Sequence, residues 1–151
     1  MIDESIEGAL RVIQELENLN ISYYVGGSIA SSTYGAHRST LDADLIVDLQ
    51  EEHIDLLVAA LQADFHIDAE MIYDAIQHRS SFNLLGYHIF TKVDVFIPKR
   101  RRYDQMVFQK RLRLTVDEET SRMAYIASPE DTVLAKLEWY EMGHRVSDRQ
   151  W

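Results

Sequence analysis

Two aspartates, Asp42 and Asp44, are separated by one alanine and lead into the apolar run Leu45-Ile46-Val47. If that stretch is a β-strand, side chains two apart share a face and lie about 7 Å apart along it. Two carboxylates so placed repel unless a positive charge sits between them. Hard divalent cations supply one, since Mg²⁺ is commonly held by one or two carboxylates together with substrate phosphates. Asp-x-Asp is also common in turns, so the pair alone defines only a candidate metal edge.

Upstream, the short apolar run Tyr23-Tyr24-Val25 stops at Gly26-Gly27-Ser28, and the following residues have helical character up to Gly35. Glycines allow the backbone close to a phosphate, and free N–H groups at a helix start face an anion. The Ser28 hydroxyl adds a donor. The same glycines also serve a plain strand-to-helix turn. Thirteen residues lie between Ser28 and Asp42, enough for a short helix and a return into an adjacent strand.

Taken together, Val25-Gly26-Gly27-Ser28-Ile29-Ala30, then Tyr34-Gly35, then Arg38-Ser39-Thr40-Leu41-Asp42-Ala43-Asp44-Leu45 resembles the signature of the nucleotidyltransferase superfamily related to DNA polymerase β. The stretch looks most like the AbiEii-like branch, which includes toxin components. The resemblance implies a third carboxylate on a later strand, and Lys92-Val93-Asp94-Val95-Phe96-Ile97 supplies Asp94. An ionised aspartate among large apolar residues is costly unless something compensates it. A metal would do so; so would a solvated strand face, or pairing with Lys92 or Arg102.

In AbiEii-like proteins a helical lysine is associated with the nucleotide phosphates, and Lys136 matches that pattern. Its helical neighbours Thr132, Val133, Trp139 and Tyr140 include no acid, so no local ion pair accounts for it. A surface lysine is the competing reading. Arg38 could meet a phosphate, orient Asp42, or form a salt bridge with either acid. Asp148 corresponds only loosely to an acid that follows the family lysine. The six histidines show no ligand spacing.

The implied reaction transfers a nucleotidyl group from a nucleoside triphosphate to a hydroxyl acceptor and releases pyrophosphate. Asp42, Asp44 and Asp94 would hold Mg²⁺ or Mn²⁺, while Gly26, Gly27, Ser28, Arg38 and Lys136 would bind the nucleotide. The acceptor is a protein, a tRNA or a small molecule. A toxin–antitoxin role would bring a partner protein, and a homo-oligomer is also open. The rival expectation is a catalytically inactive nucleotidyltransferase-fold module that binds or regulates.

These residues need elements to position them. Glu4 to Leu19 reads as an amphipathic helix, ended by Asn18 and Asn20. Strands are expected over Ile21–Val25, Ala43–Leu49, Ser81–Leu85, His88–Ile97, Arg111–Val116 and Met123–Ala127. Helices are expected over Glu51–Gln62, Ala69–Gln77, Arg101–Gln109 and a last stretch to Met142, with Ser128 at its N-cap and Pro129 in its first turn. Mixed strands and helices without a repeat or linker point to a single α/β (α+β) domain over residues 1–151, a mixed β-sheet flanked by helices. The polar stretch Ser147–Trp151 is consistent with a C-terminally truncated fragment.

Composition narrows the function. The 151 residues contain no cysteine, which removes disulfides, thiolate metal sites and cysteine nucleophiles. Without a signal-peptide pattern or a long apolar run, a cytoplasmic protein is expected. The net charge of −10 argues against a long nucleic-acid partner. Between Lys99 and Arg113, however, seven basic residues face the single acid Asp104. That segment is either a local anion-attracting surface or a solvated helix face.

Overall fold

A computed structural model describes residues 4–26, 42–88, 91–117 and 120–131 of the chain. Seven strands form one mixed sheet: β1 (Tyr23–Gly26), β2 (Asp42–Val47), β3 (Phe65–His66), β4 (Ser81–Gly86), β5 (Lys92–Phe96), β6 (Leu112–Asp117) and β7 (Arg122–Ile126). Their order across the sheet is β3-β4-β5-β2-β1-β7-β6. The β2–β5 and β1–β7 pairs are parallel, and the other four are antiparallel. Among the described residues the full-length helices are α1 (Glu4–Asn18), α2 (Ile54–Leu61), α3 (Ala69–His78) and α4 (Arg102–Lys110). The architecture is α/β with a mixed sheet, as the element pattern predicts.

Alternation decides which face each strand buries. Val93 and Val95 of β5, Leu45 and Val47 of β2, Tyr23 and Val25 of β1, and Phe82 and Leu84 of β4 are all buried. They form one core with Val12, Ile13 and Leu16 of α1, Leu57 and Leu61 of α2, and Ile72 of α3. Burying a side chain of this size contributes about 1.5–3 kcal/mol. α1 lies across the two central strands β2 and β5. It passes so close to the start of β5 that a Cβ on Gly8 would meet Thr91 Cγ2 at 2.6 Å.

The ends follow local chemistry. Asn20, at φ 57°, turns the chain after α1. Asp68 caps α3 by accepting from the Glu70 amide at 3.0 Å, and Arg79 ends that helix in the left-handed conformation. Ser128 behaves as predicted: its Oγ accepts from the Asp131 amide at 3.2 Å and donates to Asp131 Oδ2 at 2.9 Å. Residues 129–131 are helical; the rest of the expected C-terminal helix lies outside the described residues.

Some boundaries differ. β5 starts at Lys92 rather than His88, because the chain bends at 87–88 before joining the ladder. The expected helix over Glu51–Gln62 opens with a 3₁₀ turn, Glu51–His53, before α2. There the His53 ring Nδ1 accepts from the Gln50 amide at 3.1 Å. The two-residue β3 carries no alternating pattern and has no counterpart among the predicted strands.

Candidate active site

The sheet's second face carries the polar residues. Cross-strand partners share a face, and the register sets Asp44 of β2 beside Asp94 of β5. On the outer side Asp94 pairs with Asn83 of β4, and on the inner side Asp44 pairs with Gly26 of β1. The result is one row, Asn83–Asp94–Asp44–Gly26, across four strands spaced about 4.8 Å apart. Asp44 and Asp94 are half-buried, in contrast to the core residues that flank them in sequence. The two predicted acids, 50 positions apart in the chain, are therefore neighbours.

Gly26 is the last residue of β1. A Cβ there would lie 3.0 Å from Ile46 Cδ1, so the glycine makes room for the Ile46 side chain. Asp42 opens β2 with Lys92 as its register partner, and its parity matches that of Asp44. The side chain of Asp42 lies outside the described residues, as do Gly27, Ser28, Arg38, Lys136 and Asp148. The structure thus brings Gly26, Asp44 and Asp94 together, with the Asp42 backbone adjoining them.

Lys92 reaches Asp94, with Nζ 3.8 Å from Oδ1. This realises one of the pairings foreseen for Asp94, and it does so on the solvated face also foreseen for it. Asp44 and Asp94 offer hard oxygen donors side by side, the donor type a divalent cation takes. Among the described residues no group of three or more His, Asp or Glu side chains is gathered for a metal. The two juxtaposed acids, with Asp42 on the same strand parity, are the set that fits such an ion.

Tyr24 bounds the row on the β1 side. It shares the face through its partner Ile46, and its ring meets Phe108 of α4 edge-on at 4.9 Å. Burial pushes its phenol upward, with Asp104, Tyr103 and Asp131 adding smaller contributions in the same direction. Among the described residues, α4 packs on this face near β1.

Part of the Lys99–Arg113 segment is paired with acids, two of them brought in from elsewhere in the chain. Arg113 meets Glu17 of α1 at 3.3 Å, Lys110 meets Asp131 at 3.5 Å, and Arg101 meets Asp104 at 2.8 Å. Arg111 stacks over the Tyr125 ring at 4.3 Å. Lys99, Arg100 and Arg102 remain exposed. A depression of about 630 Å³ lies past the C-terminal ends of β2 and β5, against Gln50, Gln77 and Arg100, and contains none of the predicted site residues. Sequence reasoning missed Asn83, whose only signal was a polar residue between Phe82 and Leu84.

No family model matches this sequence, and no curated relative does. Solved structures do. A candidate nucleotidyltransferase from Thermotoga maritima superposes with a TM-score of 0.64 at 17% identity, covering 100% of this chain and 94% of its own. An antigenic nucleotidyltransferase-like protein from Paracoccidioides brasiliensis gives 0.59 at 20% identity, over 97% of this chain and 69% of the other. The lincosamide antibiotic adenylyltransferase LnuA, with lincomycin bound, gives 0.54 at 12% identity, over 89% and 85%. At these identities the likeness speaks to architecture alone: the chain has the nucleotidyltransferase fold.

Proposed function

We propose that this chain is a metal-dependent nucleotidyltransferase that moves a nucleoside monophosphate from a nucleoside triphosphate to a hydroxyl acceptor. The observation that carries the reading is the in-register pairing of Asp44 with Asp94 on the polar face of a nucleotidyltransferase-fold sheet. A pure scaffold has no need of two carboxylates held side by side, where they repel.

Asp42, Asp44 and Asp94 would hold Mg²⁺ or Mn²⁺. Such an ion neutralises charge on a triphosphate and lowers the pKa of an acceptor hydroxyl. The chain's own part is positioning and electrostatics. Gly26, opposite Asp44, adds no side chain of its own, and Gly27 and Ser28 are assigned the phosphates through amide and hydroxyl donors. Lys136 and Arg38 add positive charge toward the same phosphates. α4 and Tyr24 wall off one side of the row.

A small hydroxyl compound is the favoured acceptor. The net charge of −10 repels a long polyanion, and one fold neighbour is an antibiotic adenylyltransferase. A protein side chain and a tRNA end are the competing acceptors. A cytoplasmic, AbiEii-like toxin–antitoxin component working with a partner protein is the finer assignment supported by the sequence signature.

The test is thermal shift with Mg²⁺ or Mn²⁺ and each nucleoside triphosphate, followed by incubation with α-labelled nucleotide and cell extract. The wild type should be stabilised by metal plus nucleotide and should label an acceptor; Asp44→Ala should lose both. Unchanged metal-dependent turnover in Asp44→Ala would overturn the assignment. Stabilisation without transfer would identify a binding module instead.

A further inference from the structure

We propose that Lys92 is the resident counter-charge of the carboxylate row and competes with a divalent cation for it. The proposal deepens the nucleotidyl-transfer reading and rests on it for the class of ion. Lys92 and Asp94 are two apart on β5 and therefore share a face, while the register partner of Lys92 is Asp42 on β2. The ammonium thus belongs to the same patch as the paired acids, within 3.8 Å of Asp94 Oδ1.

The distance and exposure define the kind of contact. A charge-assisted hydrogen bond between ammonium and carboxylate is about 2.7–2.9 Å long, so 3.8 Å is a charge contact without directed bonding. The lysine side chain is 40% exposed and sits on a flexible stem. Such a group can neutralise the acids when no ion is present and swing away when one arrives. Until it moves, it repels the incoming cation as a like charge. Lys92 therefore stabilises the ion-free row and lowers its affinity for metal.

A strictly structural lysine predicts something different. Removing it would lower stability but would not tighten metal binding. The experiment is Mn²⁺ titration of the full chain without nucleotide, followed by the loss of the free-ion electron paramagnetic resonance signal, alongside thermal melts of the ion-free protein. Lys92→Met should bind Mn²⁺ about tenfold more tightly than wild type and should melt lower when ion-free. Lys92→Arg, which keeps the charge, should stay close to wild type in affinity. Lys92→Gln provides a second neutral variant should Lys92→Met fold poorly.

If wild type binds Mn²⁺ and neither neutral variant binds more tightly, the counter-charge role is wrong while the nucleotidyl-transfer reading stands. If no variant binds Mn²⁺ at all, both fail. Binding by the neutral variants at concentrations where wild type binds little supports the proposal.

Discussion

Two Lys–Asp pairs in this molecule look alike on paper and behave as opposites. Lys110 and Asp131 stand 3.5 Å apart, and Lys92 and Asp94 stand 3.8 Å apart. Asp131 is almost entirely buried, and its carboxylate also takes the Ser128 hydroxyl while its amide is bound by the same oxygen. Asp94 is half-buried on the polar sheet face with a second carboxylate beside it. The first acid is held by a closed set of donors and serves the fold. The second has a like charge as its strand neighbour, which a stability role does not call for. What separates structure from chemistry here is the rest of each acid's surroundings, not its lysine.

The sharpest way to break this comparison is to delete each acid. Asp131→Ala strips a buried capping contact and leaves Ser128 and Lys110 without their carboxylate; about 2–4 kcal/mol of stability should be lost in urea unfolding. Asp94→Asn, in contrast, should leave the free energy of urea unfolding within about 0.5 kcal/mol of wild type while abolishing nucleotidyl transfer. Equal losses of stability would erase the distinction. A milder probe is Ser128→Ala, which removes the hydroxyl cap alone and should cost about 1 kcal/mol.

The smallest effect at neutral pH comes from the phenols beside these regions. Burial raises Tyr23, with its hydrogen bond to Glu17 adding to the shift, and burial likewise raises Tyr24. Each phenol holds its proton more tightly folded than unfolded, so the native state binds more protons above the usual tyrosine value. Stability is then fully present below about pH 10 and falls as pH rises through the folded values. Urea midpoints measured from pH 8 to 12 should decline, and Tyr24→Phe should flatten the decline.

Features governed by neighbouring residues were legible in the sequence. The Ser128 cap, the stop of α1 near Asn20, and the strands bearing Asp44 and Asp94 all depend on adjacent chemistry or on a period of two. The Gly26-Gly27-Ser28 motif and the paired acids pointed to the fold by resemblance. Contacts between distant segments were not legible. Nothing in Lys99–Arg113 reveals that Glu17 and Asp131 would come to neutralise Arg113 and Lys110. The side-by-side placement of Asp44 and Asp94, and the arrival of Asn83 next to them, follow from register, which no local pattern encodes. β3 escaped notice because two residues cannot display an alternation.

The β2–β5 register has a consequence for assembly of the sheet. A slip of one residue between these strands would turn the carboxylate of Asp44 or Asp94 toward the helices and bury a charge where Leu45 or Val93 belongs. A slip of two would keep the faces but set Asp44 opposite Lys92 or Phe96. The residues proposed to react also proofread the pairing. A slip of one is penalised by these two charges, whereas a slip of two, which can bring Asp44 to Lys92, is opposed only by the packing of the flanking apolar residues.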